Sequence, residues 1–352
     1  MVDWTKSMAQ SFEYAIVDPN TWKDYKLLDT VRSSTISRDS SAETLGSASI
    51  NLDGLIGECY VRIYLVTIQN GVKERHALGT FLVQTPSSTF DGKVKAVTVE
   101  TYTPLLELKE GYPPIGYYTP KGENIMSTAY RLVRENVRAP VVQTDCTETV
   151  FQDFVAETSD TWLSYISDLI SNAKYSLELD EMGRILFSPT QSLASLQPVW
   201  TYSDDNSSIL SPSISMDHDL YGIPNVVEVI YSSGSINYTS RVVNDDPNSP
   251  VSTIARGREI PHRVTDPELV GTPTEEQIDE YAKKLLENLS SLEYTVTYTH
   301  GYCPVRVGDC VRLNYKRADL VNVKAKVISQ TIKCEAGCQV TEKAVYTKRL
   351  WG

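Results

Sequence analysis

The sequence predicts a mainly β protein of the α+β kind, with helices confined to segments beside or between strand-rich regions. Three observations predict it. Runs that alternate apolar and polar residues, punctuated by Asn-Gly and Asp-Gly pairs, fill the first hundred positions. Two stretches, near 159–173 and 274–289, repeat apolar residues at helical spacing instead. After each of them the strand pattern returns. At 352 residues the chain exceeds the usual reach of a single hydrophobic core, so two to four domains are expected.

In Tyr60–Val66, the residues Val61, Ile63 and Leu65 fall on one face and Tyr60, Arg62 and Tyr64 on the other. Asn70-Gly71 supplies the positive φ that a tight hairpin needs, and Leu78–Val83 is expected to fold back from it. Asp91-Gly92 repeats the device before Val94–Val99, which makes a meander sheet or small barrel. From about residue 109 the pattern changes. Residues 122–137 place Ile125, Ala129, Leu132 and Val133 on one helical face and stop before Pro140. A stronger helix aligns Trp162, Tyr165, Ile166, Leu169, Ile170 and Ala173, with Ser159 and Asp160 as its caps. Tyr175–Leu179 and Arg184–Phe187, joined by the turn Asp180–Gly183, read as a hairpin packed beside that helix.

Residues 188–215, rich in Ser, Asp, Asn and Pro, read as an exposed connection. Asn225–Tyr231 is a strand, and Asn244 to Pro273 reads as loop. Thr274, with Gln277 three residues on, offers a capping box for a helix that aligns Ile278, Tyr281, Ala282, Leu285, Leu286 and Leu289. Strands resume at Tyr294–Tyr298 and continue through Val305–Tyr315, Val323–Ile332 and Ala344–Thr347. This order suggests two β domains, 1–108 and 200–235 with 295–352. Each carries a satellite: a helix-plus-hairpin domain at 109–199 and an inserted loop and helix at 236–294.

The formal charge is −12, and all of it sits between residues 141 and 240, which hold fourteen acids and two bases. Such a surface repels phosphate backbones, so nucleic-acid binding through Lys and Arg is disfavoured. No apolar run spans a bilayer, and Met1-Val2-Asp3-Trp4 lacks a signal-peptide pattern, which predicts synthesis and folding in the cytosol. The four histidines, His76, His218, His262 and His300, sit in no catalytic or metal motif. Asp217-His218-Asp219 reads as a polar turn before it reads as a metal site. Paired carboxylates for sugar hydrolysis are abundant without being marked by any spacing. Cys303, Cys310, Cys334 and Cys338 do not follow zinc-ribbon spacing; the default is buried free thiols, and Cys334 and Cys338 bracket a hairpin turn where a bridge is the alternative. The sequence therefore assigns no catalytic, cofactor-binding or metal-ligating residue.

Four places in order along the chain resemble the hub family of phage and phage-like tails. The first is Ser47–Leu52 running into Val61–Tyr64, then Leu78–Val83 and Thr98–Tyr102 with Leu105 and Leu108. The second is Thr161–Leu163 through Ile185–Phe187. The third is Ile223–Val229 with Ser249–Thr253 and Gly257-Arg258, and the fourth is Pro304–Val311. The resemblance implies a non-enzymatic structural subunit of the virion's tail tip or baseplate, assembled in the bacterial cytoplasm. It implies a homotrimer in which two β tube domains per copy alternate around a pseudo-sixfold ring that passes DNA during genome ejection and host entry. Its partners would be a tail tube or distal tail protein and a central spike, tip or tape-measure protein. No cofactor is implied. Asp204, Asp205, Asp217, Asp219 and Glu228 are then candidates to line the channel and repel phosphate. Two other functions fit the composition: a carbohydrate-binding adhesive module of the virion, and a cell-wall hydrolase embedded in a tail.

Overall fold

The computed structural model describes residues 2–54, 56–90, 95–205, 208–233, 236–265, 267 and 273–351. The chain is mainly β, with large antiparallel sheets and few helices. It divides into two units, Met1–Ile214 with Tyr298–Lys343 and Ser215–Thr297 with Ala344–Gly352.

The first unit opens with β1 (Ala9–Val17), β2 (Asp24–Leu27), β3 (Val31–Asp39), β4 (Gly46–Leu52), β5 (Tyr60–Gln69), β6 (Val72–Phe90) and β7 (Lys95–Tyr102). They pair antiparallel in the order β3-β4-β7-β6-β5-β1-β2. Asn70 and Gly71 hold φ of 51° and 78° at the β5–β6 turn, the left-handed pair that a two-residue hairpin requires. The Asp91-Gly92 turn lies outside the described residues. Strand β5 is buried on both faces from Tyr60 to Thr67, where simple alternation predicted one wet face. Val61, Ile63 and Leu65 enter the main core with Ile36, Ile50 and Val99. On the other side Tyr60 packs with Val17, Leu82 and Leu106, and Arg62 is sealed beneath Asp24, Thr80 and the carbonyl of Met182. A second layer of structure covers that face.

That layer contains α1 (Leu106–Glu110), β8 (Tyr118–Thr119), α2 (Ile125–Asn136), β9 (Phe154–Val155), α3 (Trp162–Ser171), β10 (Tyr175–Leu179) and β11 (Ile185–Pro189). Helix α2 buries Ile125, Ala129, Leu132 and Val133, and α3 buries Trp162, Tyr165, Ile166, Leu169 and Ile170, as their spacing predicts. Each fully buried Leu or Ile contributes about 1.5–3 kcal/mol. The cap of α3 is Thr161, not Ser159 or Asp160. Only Thr161 has a serine at the third helical position, so Thr161 and Ser164 satisfy each other's backbone N–H groups, while Asp160 accepts from Glu157 and Ser164. The chain then forms β12 (Pro198–Ser203) and β13 (Leu210–His218) where a featureless connection was expected.

The second unit holds β14 (Val226–Ser233), β15 (Ile236–Val243), α4 (Thr253–Arg256), β16 (Pro261–Thr265) and α5 (Glu275–Leu289). Strand β14 is central, antiparallel to β15 and parallel to β16. The capping box at Thr274 and Gln277 forms as expected, and α5 lays Ile278, Ala282 and Leu286 on Val227 and Val229. The stretch read as loop therefore contains a short helix and a strand. Strand β16 is exposed at most positions and pairs in parallel with a strand that is no sequence neighbour, so neither alternation nor a hairpin turn announces it.

Strand β17 (Ser291–Gly301) follows, then β18 (Cys310–Tyr315), β19 (Leu320–Cys334) and β20 (Gln339–Arg349). The early half of β19 pairs with β18 and its late half with β3, setting Ile332 opposite Ile36. The first and last parts of the chain thereby share one sheet, in the order β13-β17-β20-β19-β3-β4-β7-β6-β5-β1-β2, and β12 lies parallel to β18. The division between the units falls within β13, β17 and β20.

Candidate functional site

A group of buried, mutually hydrogen-bonded polar side chains lies inside the first unit. The Glu342 carboxylate receives Tyr298 Oη at 2.8 Å, Tyr202 Oη at 3.2 Å and Gln330 Nε2 at 2.5 Å, and stands 3.3 Å from His300 Nε2. Burial would raise the Glu342 pKa, but these donors and the charge of His300 outweigh it and hold the carboxyl below its ordinary value. Burial likewise pulls His300 down, and hydrogen bonds to Cys303 and Glu342 overcome it, pushing the imidazole up to about 10. The geometry agrees: His300 Nδ1 donates to the Gly301 carbonyl at 2.6 Å while Nε2 faces the carboxylate, which a doubly protonated ring satisfies at both ends.

Cys303, His300 and Glu342 are the residue types of a thiol nucleophile, its base and an orienting acid. Here Cys303 Sγ is 3.9 Å from a ring nitrogen already committed to Gly301, and all three residues are sealed from solvent. Burial keeps the sulfur away from solvent. The group ties β12, β17, β19 and β20 together. Its sequence signal was faint but present: His300 keeps phase with Val296 and Tyr298 in β17, and Glu342 with Val340 and Ala344 in β20, so each is a polar residue at an inward position.

Gln330 carries the network outward. Its Oε1 accepts from Arg38 Nη1 at 3.0 Å, and Arg38 lies 3.8 Å from Glu181, which is clasped by Arg306. Burial raises the Glu181 pKa, yet Arg306 and Arg38 hold it below the usual carboxylate range. Arg38, Glu181 and Arg306 border a cleft of about 230 Å3 with Gly79, Phe81, Leu177 and Gly308. The Pro304–Val311 segment turns here, with Asp309 Oδ2 accepting from the Arg306 N–H at 2.8 Å.

The acids singled out by the sequence occupy both units. In the first, Asp204 and Asp205 follow β12; Asp204 is half-buried and 3.5 Å from Arg317, while Asp205 is exposed. In the second, Asp217 and Asp219 are exposed on and just after β13, and Asp219 accepts from the Tyr221 N–H. Glu228, also in the second unit, is paired with Arg263 at 2.6 Å and Arg241 at 3.4 Å. All six cysteines are free, and Cys303, Cys310, Cys334 and Cys338 are buried. Among the described residues no three His, Cys, Asp or Glu side chains are grouped to hold a metal. No helix there is long and apolar enough to cross a membrane.

Other surfaces suit assembly. Strand β2 is exposed at every position, including Tyr25 and Leu27, and Ser215–His218 of β13 is likewise exposed. A ribbon formed by β8 and β9 sets Tyr118 opposite Val155 with both side chains in solvent, flanked by exposed Ile115 and Phe151.

No family model matches the sequence, and no curated protein matches it. The fold, however, matches solved structures along nearly its whole length. A tail protein from Neisseria meningitidis MC58 has a TM-score of 0.61 at 11% identity, over 96% of this chain and 97% of that one. The 43 kDa tail protein of prophage MuSo2 from Shewanella oneidensis gives 0.61 at 12% identity, over 97% and 99%. The chain thus shares the fold of these tail proteins.

Proposed function

We propose that this chain is a non-enzymatic structural hub subunit of a phage or phage-like tail tip or baseplate. One observation carries the reading: nearly the whole chain follows the fold of tail proteins that are themselves matched over nearly their whole length. The chemistry agrees, since the Cys303, His300 and Glu342 group is sealed inside as a strut while strand edges and apolar ribbons face solvent. Copies assemble as a trimer, with a pseudo-sixfold ring joining the tail tube or a distal tail protein to a central spike, tip or tape-measure protein.

The ring gives DNA a channel without binding it. Those of Asp204, Asp205, Asp217, Asp219 and Glu228 that face the channel supply repulsion toward phosphate over about 8 Å at physiological salt, Asp204 and Glu228 less because arginines stand against them. The virion is the site of action, with assembly in the bacterial host cytoplasm.

Native mass measurement across a concentration series tests the reading. The proposal expects a species of three times 39.3 kDa; a chain that stays single at every concentration, or a ring with all five acids on its outer wall, contradicts it.

A further inference from the structure

The strand order of the large sheet has two ends, and the two ends are complementary. At one end lies β2, four residues long and exposed at each. At the other lies β13, bonded among the described strands only to β17. The two halves of β13 differ. In Leu210–Ile214, Pro212 has no N–H and its carbonyl is taken by the Tyr315 hydroxyl at 2.9 Å. In Ser215–His218, four consecutive residues are exposed, matching β2 in length.

Their charges are opposite. Lys23 and Lys26 flank and occupy β2 and are exposed, whereas Asp24 is occupied internally by Arg62 and Arg75. Asp217 and Asp219 stand exposed at the end of β13. Apolar side chains accompany both: Tyr25 is 79% and Leu27 48% exposed on β2, and Met216 is 41% exposed on β13. A short edge strand bearing lysine resists pairing with neutral edges, because the ammonium would be desolvated there unpaired. An edge that presents aspartates removes that objection.

We infer that β2 of one copy pairs with Ser215–His218 of the next, with Lys23 and Lys26 meeting Asp217 and Asp219. The inference rests on the ring reading above and names the surfaces that close the ring. Because the two edges are different surfaces of one chain, the contact is head-to-tail and each copy offers a free edge to the next. Such contacts end only when the ring closes. Like-charged copies of either edge repel each other, which disfavours a two-fold dimer through the same strands.

The test uses the full chain in sedimentation velocity over a concentration series. Three proteins are compared with wild type: Lys23→Glu with Lys26→Glu, Asp217→Lys with Asp219→Lys, and all four changes combined. All four positions are exposed, and circular dichroism checks that each protein folds. Each pair alone should raise the concentration needed for assembly by about tenfold or more, and the combined protein should return toward wild type, since attraction is restored with reversed sign. Should both pairs assemble like wild type, the named edges are wrong while the ring reading stands. A loss in each pair without recovery in the combination also overturns the edge pairing. Wild type that never assembles overturns the ring itself.

Discussion

His300 Nε2 lies 3.3 Å from a carboxylate oxygen of Glu342, and neither side chain touches solvent. Removing one partner of a buried ion pair strands the other's charge, so Glu342→Gln or His300→Gln should destabilise the first unit by about 3–5 kcal/mol. Urea unfolding reads this as a lower midpoint, and a variant as stable as wild type would refute the strut.

The same pair sets a pH dependence. His300 is raised from 6.5 to about 10 on folding, so its contribution is full below pH 6.5 and is lost as pH climbs through about 10. Glu342 is lowered from 4.5, so its contribution is present above pH 4.5 and is lost as pH falls through the folded value. Stability from the pair is therefore greatest between about pH 4.5 and 6.5. Urea midpoints measured from pH 6 to 10 should fall in wild type and fall less steeply in His300→Gln. Parallel curves would mean that the imidazole is neutral in the fold.

Gly183 closes the β10–β11 hairpin at φ 75°, and a β-carbon there would stand 2.7 Å from Thr80 Cβ. Gly71 has nearly the same φ, 78°, with nothing within 4 Å. Gly71→Ala should cost only the left-handed backbone strain, about 1 kcal/mol. Gly183→Ala adds a clash with β6 and should cost about 2–4 kcal/mol, by analogy with overpacked cores. Differential scanning calorimetry should show the larger drop in Tm for Gly183→Ala; equal drops would mean that the hairpin does not pack on β6.

Arg62 is 1% exposed, with Nη1 2.9 Å from Asp24 and Nε 2.8 Å from Thr80 Oγ1. Arg62→Ala leaves a cavity and takes from Asp24 one of its two arginines, Arg75 remaining, so a loss of about 2–5 kcal/mol is expected in chemical unfolding. Arg62→Met, which keeps most of the volume, should recover part of it. Recovery to none would show that the charge, not the packing, holds the two layers.

Much of the fold was legible because it rests on local signals. Asn70-Gly71, the apolar stripes of α2, α3 and α5, and the Thr274–Gln277 box each combine neighbours within a few positions. Strands β12 and β16 were not, because both pair in parallel with strands distant in sequence, and β16 keeps most of its side chains in solvent. The second burial of β5 was hidden for the same reason: the hairpin turn that seals Arg62 belongs to a different region of the chain. At the buried cluster, His300 and Glu342 each looked like an isolated polar residue, and only the neighbouring positions of β17 and β20 make them a pair.

The central claim is that copies of this chain tile around a hollow axis. Electron cryomicroscopy of the purified protein at high concentration tests it most directly. The account predicts closed rings of three copies with an open centre and with Asp217 and Asp219 at the subunit joints. Separate single chains, or compact particles without a channel, would contradict it.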